Sequence, residues 1–221
     1  MHLRLQNQWV KINMILPMQF HSLESLDSTT VQIKLIPAKD TTWQPGQAAR
    51  FAIPDKILGP NSSKSVVAAS NPEEFFFEFY LMIDDSPFIQ TLFGLEENSL
   101  VYIKFEDDVY RLPEQGTWLI TNDAVGLVRA HVKKFQSTAK EITIVLYQTG
   151  KTYFADITQV CGQNPQFTIL VANNLAELAF RLQESPLPLT LAMGRTDATW
   201  LTKWVHEFGT DESNINTVII G

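Results

Sequence analysis

Four histidines, His2, His21, His131 and His206, lie far apart with neither HxxxH nor HxH spacing, so the sequence presents no metal site. The single cysteine, Cys161, has no partner for an internal disulfide and cannot hold an iron–sulfur cluster alone. It reads as a small residue beside a turn, because a reactive thiol needs an electropositive setting. No Ser-His-Asp order, HExxH or Walker loop occurs. The carboxylate pairs Glu96-Glu97 and Asp107-Asp108 read as solvated turns. The residues therefore name neither a catalytic side chain nor a metal ligand.

The elements that would position any bound group fall into two blocks. In the first, Val31, Ile33 and Leu35 share one face of a strand over 30–36, and Leu23 to Ser28 reads as the turn before it. A Pro-Gly turn at Pro45-Gly46 opens a strand with Ala49, Phe51 and Ile53 on one face. A polar loop from Pro54 to Lys64 leads to the apolar stretch Val66–Ala69, which ends in a Ser-Asn-Pro turn. Phe75 to Ile83 is aromatic on both faces and so predicts a strand buried on both. Pro87 to Phe93 predicts a short helix, with Ser86 placed to cap it and Pro87 at its first position. Leu100–Phe105 and Val109–Leu112 predict a hairpin across Glu106-Asp107-Asp108.

After Pro113, strands alternate with helical segments. Strands are predicted at Thr117–Thr121, Glu141–Gln148, Gln166–Ala172, Leu189–Met193 and Thr217–Ile220. Helices are predicted at Val125–Ser137, Leu175–Gln183 and Thr196–Phe208, with a helix or loop near Phe154–Val160. Strands without helices followed by βαβ units imply an antiparallel six-stranded β-barrel and then an open parallel α/β sheet. The expected units are residues 1–113 and 114–221, with the boundary near Leu112–Gly116. Trp200 and Trp204, one helical turn apart, predict core or interface anchors.

The chain has 221 residues, 45% hydrophobic and 19% charged, as a soluble globular protein would. A net charge of −7 with scattered Lys and Arg argues against nucleic acid as a partner. No run of about 18 apolar residues is present, so no membrane span is expected. The N-terminus lacks a long apolar region with a cleavage site, so a cytoplasmic protein is expected.

WQPGQAARFAIP (43–54) followed by KSVVAASNP (64–72) resembles the front half of the flavin-binding barrel of the ferredoxin-reductase superfamily. The resemblance lies in order and spacing, runs over nearly the whole chain, and is nearest in outline to the siderophore-interacting branch. The family's flavin signature is an Arg, a spacer, an aromatic and a Ser or Thr, closing in a small residue and Ser. The resemblance places Lys64 as a point charge where the Arg fork pairs with phosphate. It places Ser65 as the spacer, Val66 where an aromatic would stack on the flavin, Val67 where a hydroxyl would stand, and Ser70 at the close.

The family's second flavin element, a helix N-terminus facing the pyrophosphate, corresponds to Asp84-Asp85-Ser86-Pro87-Phe88-Ile89. Ser86 is its candidate contact and equally a plain helix cap, while Asp84 and Asp85 would repel phosphate. Ile89 stands where a Ser or Thr is usual, and Glu96–Ser99 replaces a Gly-Asp turn. In the nicotinamide half, Asn122, Asp123 and Gly126 stand in place of a glycine-rich turn. An Asp at the place of Asp123 is a feature of the siderophore-interacting branch. Gly194, in Ala192-Met193-Gly194-Arg195, matches a further nicotinamide-side turn, and Arg195 is either a 2′-phosphate or acidic-partner contact or a surface residue. The last strand, Val218–Gly221, stops where that branch continues into an aromatic segment.

Two readings follow from the resemblance. The first is an FAD-dependent NAD(P)H oxidoreductase that passes a hydride from nicotinamide near Asn122–Gly126 and Gly194 to a flavin against Lys64–Ser70. Its acceptor would be a ferric siderophore, another iron chelate or a small molecule. The second is a non-catalytic relative acting as a binding or regulatory module without flavin, to which Val66 and Val67 point. An oligomer is compatible with either.

Overall fold

Period-two burial of apolar side chains in the first half of the chain produces six strands. These are β1 (Ile15–Ser25), β2 (Thr30–Pro37), β3 (Gln47–Ala52), β4 (Ser63–Val67), β5 (Phe77–Met82) and β6 (Leu100–Val109). They hydrogen-bond in the order β4-β3-β6-β1-β2-β5, each pair antiparallel. The end strands meet where the Ala69 amide donates to the Glu78 carbonyl at 2.8 Å, which curls the sheet into a nearly closed barrel. Val31, Ile33, Leu35, Phe51, Phe77 and Phe79 fill its interior. Helix α1 (Pro87–Phe93) plugs the barrel with Phe88, Ile89 and Leu92, and the Phe88 ring stands edge-on to Phe51 with centroids 5.6 Å apart. The computed structural model describes residues 15–26, 28–54, 63–136, 140–147, 157, 161–185, 187–207 and 212–220.

The second half builds β7 (Gly116–Ile120), β8 (Ile142–Tyr147), β9 (Phe167–Ala172), β10 (Leu189–Gly194) and β11 (Ile215–Ile220). All four pairs are parallel, in the order β11-β10-β7-β8-β9. Helix α2 (Val125–Phe135) covers one face, against Trp118 and Ile120 of β7. Helices α3 (Leu175–Gln183) and α4 (Arg195–Glu207) cover the other, bringing Leu178, Leu201 and Val205 onto Leu119 and Leu191. A sheet covered on both faces explains why β7, β8 and β10 are almost continuously apolar. Strand order reverses between β7 and β10, and the crevice beyond their C-terminal ends is where open parallel sheets receive ligands. The architecture is the antiparallel barrel followed by a parallel α/β sheet that the sequence pattern predicts.

Helix α2 also fastens the sheet to the barrel. Its Arg129 is buried, donates to the Ala69 carbonyl at 2.7 Å, and pairs with Glu78 at 2.9 Å and Glu74 at 3.1 Å. Lys133 adds a second ion pair to Glu74, and Asn71 Nδ2 donates to the Ala130 carbonyl at 3.3 Å. Burial raises the Glu78 pKa, an effect that the Arg129 charge offsets only in part. Burial also works to raise that of Glu74, but Lys133 and Arg129 outweigh it and hold the carboxyl below its ordinary range.

Several local expectations are corrected. Leu23 to Ser25 is strand, not turn: β1 runs to Ser25 and pairs Leu23 with Ile33 and Ser25 with Val31. The predicted hairpin at Glu106-Asp107-Asp108 is a single strand, β6. An irregular register opposite Gln47 and Ala49 absorbs the acidic residues, and Glu106 accepts a bond from Arg50 Nε at 3.1 Å. In β5 both faces are covered at Phe77, Glu78 and Phe79, but Phe75, ahead of the strand, is 72% exposed. Trp200 is not core. It lies on the surface against the Tyr147 ring, while Leu201 and Val205 supply the buried face of α4. The predicted segment Phe154–Val160 lies outside the described residues apart from Ile157, as do residues 1–14 and most of the loop after Pro54. Among the described residues no helix is long and apolar enough to cross a membrane.

Candidate functional site

Where β4 and β5 of the barrel face the C-terminal edge of the parallel sheet, a cleft of about 290 Å³ opens. Each wall follows from an element already described. Strand β4 contributes Lys64, Ser65, Val66 and Val67, and β5 contributes Tyr80 and Leu81. The start of α2 contributes Gly126 and Leu127. The ends of β7 and β10 bring Asp123 and Arg195. The cleft thus lies between the barrel wall and the switch point of the parallel sheet.

Seven of the candidate contact residues read from sequence meet in this cleft: Lys64, Ser65, Val66, Val67, Asp123, Gly126 and Arg195. Their side chains have different employments. Val66 is 3% exposed and packs into the barrel interior opposite Ala49, so only its edge reaches the cleft. Val67, half-buried, packs on the Leu127 side. Lys64 is held by Asp84, with Nζ 2.5 Å from Oδ2. Asp84 Oδ1 also accepts the Ser86 amide at 3.0 Å. What burial Asp84 has works to raise its pKa, but the bonds from Lys64 and Ser86 outweigh this and hold the carboxyl below its ordinary range.

Ser70, Ser86 and Gly194 do not line the cleft. Ser70 is fully buried, where its hydroxyl accepts the Glu78 amide at 2.9 Å and its carbonyl accepts Trp43 Nε1 at 3.0 Å. Ser86 caps α1, its hydroxyl accepting the Ile89 amide at 3.4 Å. Asn122 opens the single 3₁₀ turn, Asn122–Ala124, between β7 and α2. Gly194 ends β10 immediately behind Asp123, and α4 begins at Arg195 without an intervening turn. A Cβ on Gly194 would meet the Asp123 Oδ2 at 1.8 Å, so the Asp123 carboxylate lies directly on this glycine.

Gly126 serves close packing within the protein. A Cβ there would stand 2.7 Å from Tyr80 Cδ2 and 3.3 Å from the Ala69 Cβ, so the glycine lets α2 sit against the barrel. The surroundings of Asp123 desolvate its carboxyl, and the Asp197 charge adds to this, so its pKa is raised. The first turn of α2 carries no side-chain cap, since Ala124 occupies the capping position. Among the described residues no group of three His, Cys, Asp or Glu gathers that could hold a metal ion.

Sequence reasoning missed Tyr80, the one aromatic ring among the described residues that line the cleft, and Arg129 behind it. The available signal was the polar alternation of Glu78 and Tyr80 within an otherwise apolar strand, which marks a face turned away from the barrel interior.

Comparison with family models and with curated protein sequences finds no match. Solved structures do match over nearly the whole chain. Ferredoxin-NADP+ reductase from Plasmodium falciparum with 2′P-AMP superposes with a TM-score of 0.73 at 10% identity, over 93% of this chain and 96% of that one. The siderophore-interacting protein from Acinetobacter baumannii gives 0.67 at 16% identity, over 92% and 88%. The flavohemoglobin from Malassezia yamatoensis with bound FAD and heme gives 0.71 at 13%, over 94% of this chain. This chain spans 60% of that flavohemoglobin. The fold is therefore ferredoxin-reductase-like.

Proposed function

We propose that this protein is a flavin-dependent NAD(P)H oxidoreductase whose flavin ring lies in the cleft between β4, β5 and the start of α2. One observation carries the reading: the cleft joins the barrel strand Ser63–Val67 to the switch point of the parallel sheet. A ring held by the barrel would there face a donor held by the sheet. The walls suit a flat, largely apolar ring system, with Val67, Leu81 and Leu127 as apolar surface, the Tyr80 ring beside them, and the exposed Ser65 hydroxyl for a polar edge. When bound, a flavin supplies the hydride-accepting chemistry. The protein's own residues orient the ring and exclude water from one of its faces. Asn122, Asp123 and Gly194 border the approach of the nicotinamide donor. A small-molecule or iron-chelate acceptor follows from the same reading.

A second reading, a binding module without flavin, draws on two other observations. The Asp123 carboxylate already fills the space above Gly194, and Asp84 already neutralises Lys64. Titration of the purified protein with flavin separates the two readings. The oxidoreductase reading expects quenching of flavin fluorescence, a rise in melting temperature through ligand linkage, and bleaching of the flavin absorbance once NADH or NADPH is added. A protein that neither quenches flavin nor gains stability from it is the binding module.

A further inference from the structure

The parallel sheet ends in an edge strand that carries none of the usual guards. Among the described residues β11 hydrogen-bonds to β10 alone, so alternate residues of Ile215–Ile220 turn their backbone N–H and C=O outward. Sheet edges are ordinarily blunted by a charge, a proline, a bulge or a covering segment. Ile215-Asn216-Thr217-Val218-Ile219-Ile220 has no charge and no proline, and its register with β10 is unbroken. All of its side chains except Asn216 are β-branched, as suits a strand that pairs on both sides. The barrel treats its edges differently, because the Ala69–Glu78 bond brings its end strands together.

Beside the open edge the surface is made mostly of small groups. A groove of about 580 Å³ runs between β11 and α4, where Ala198, Thr199, Thr202 and Ile219 form part of its lining. Ile219 is 44% exposed there although it belongs to the sheet. Helix α4 lies over β10 and β11, with Leu201 and Val205 in one cluster with Leu189 and Leu191, and with Ile215 packed against it. The helix axis is then roughly one strand spacing, about 5 Å, from a line half a spacing outside β11. A twofold axis on that line, perpendicular to the sheet, sets two α4 helices roughly 10 Å apart, the separation of packed helices. Ala198, Thr199 and Thr202 are small enough to permit that approach.

We propose that β11 pairs antiparallel with β11 of a second copy of this chain about that axis, joining two sheets into one and bringing α4 against its counterpart. A second copy fits because the edge is self-complementary: an antiparallel pair of identical strands exchanges the same hydrogen bonds in both directions. An uncharged strand also brings no like charges together when it meets itself. A stable interface buries upwards of about 1,000 Å² in total, so the strand and the helix beside it both belong to it.

Sedimentation equilibrium of the full chain over a wide concentration range, paired with hydrogen exchange, provides the test. The expected particle has twice the mass of one chain, and alternate amides of Ile215–Ile220 exchange more slowly in it than in the diluted monomer. Thr217→Lys places a charge mid-strand on an exposed side chain, as guarded edges do. It should weaken the dimer by about tenfold or more and leave the unfolding midpoint of the diluted monomer unchanged. A chain that stays monomeric at the highest concentration overturns the proposal. So does a dimer that Thr217→Lys leaves intact, or one in which the β11 amides exchange as fast as in the monomer, since it then forms through another surface. Mass rising past two copies overturns it as well, because that marks head-to-tail pairing of β11 with the opposite edge strand, β9.

Discussion

The carboxylate of Asp123 rests on the α-carbon of Gly194, so that a Cβ on the glycine would stand 1.8 Å from Oδ2 and 2.9 Å from the Asp123 Cβ. The two residues follow or end adjacent parallel strands, β7 and β10, at the point where strand order reverses. The backbone of Gly194 lies outside the left-handed region, so its neighbour requires the glycine and its φ does not. Gly194→Ala should therefore destabilise the protein by roughly 1–3 kcal/mol through overpacking. Combining it with Asp123→Gly should recover most of that loss. A double-mutant cycle by urea denaturation checks this, with a coupling of about 1 kcal/mol or more expected for residues in contact. Additive effects would mean that the carboxylate moves aside freely.

Arg129 joins α2 to the barrel through Glu74, Glu78 and the Ala69 carbonyl. Removing the guanidinium leaves the Glu78 carboxylate buried without its nearest opposite charge. Arg129→Met should cost about 3–5 kcal/mol in unfolding free energy. Adding Glu78→Gln should restore a large part of it, because the uncompensated charge is then gone. If Arg129→Met costs no more than an ordinary surface substitution, the ion pair does not hold the two parts together.

Much of this was legible in the sequence because it depends on periodicity. The alternation in Val31-Ile33-Leu35 and the apolar run Trp118–Ile120 follow directly from which faces are covered. The Pro-Gly turn at Gly46 was equally readable, since its φ of +78° demands glycine. What could not be read depends on contacts between distant residues. Lys64 looks like a free cation until Asp84, twenty positions on, is found paired with it. Gly126 looks like the remnant of a glycine-rich turn until Tyr80 is found against it. Glu106-Asp107-Asp108 has turn composition, yet the pairing of Phe105 with Ala49 and of Val109 with Gln47 on either side carries the strand through. Ser70 and Ser86 have hydroxyls of the right type, and both are used by the protein's own backbone.

His131 gives the fold a defined acid sensitivity. The ring is fully buried in α2, Nδ1 donates to the Leu127 carbonyl at 2.9 Å, and Nε2 has no hydrogen-bond partner among the described residues. Burial dominates and lowers its pKa to about 4, with Lys134 and Arg111 adding to the effect. An unfolded histidine titrates near 6.5. Between these values the unfolded chain binds a proton that the folded chain refuses, so stability falls as pH falls from about 6.5 to 4. The loss over that window should be about 3 kcal/mol. Urea denaturation at steps across it checks this against His131→Leu, in which the histidine part of the slope disappears. Equal slopes in the two proteins would show that the ring protonates in place.

Gly46 carries the strictest requirement, because conformation and space act on it together. Its φ of +78° lies in the region that side chains rarely adopt, and a Cβ would stand 2.2 Å from the Tyr110 carbonyl oxygen. That oxygen belongs to backbone, so it cannot swing away as the end of a side chain would. Leu127 Cδ1 at 2.7 Å and His131 Cε1 at 3.0 Å close the remaining space, which ties this barrel turn to the packing of α2. The turn is also pinned by two backbone bonds, from the Gly46 amide to the Ala68 carbonyl at 3.0 Å and from the Tyr110 amide to the Gly46 carbonyl at 2.9 Å. Gly46→Ala should thus cost about 3 kcal/mol or more, combining backbone strain with displaced packing. The damage should reach α2 as well as the turn. Hydrogen exchange on the substituted protein checks this, and the expected outcome is lost protection along Val125–Phe135 together with β3. If exchange quickens only around Pro45–Gln47, the turn is a local feature and α2 is held by Arg129 and its carboxylates alone.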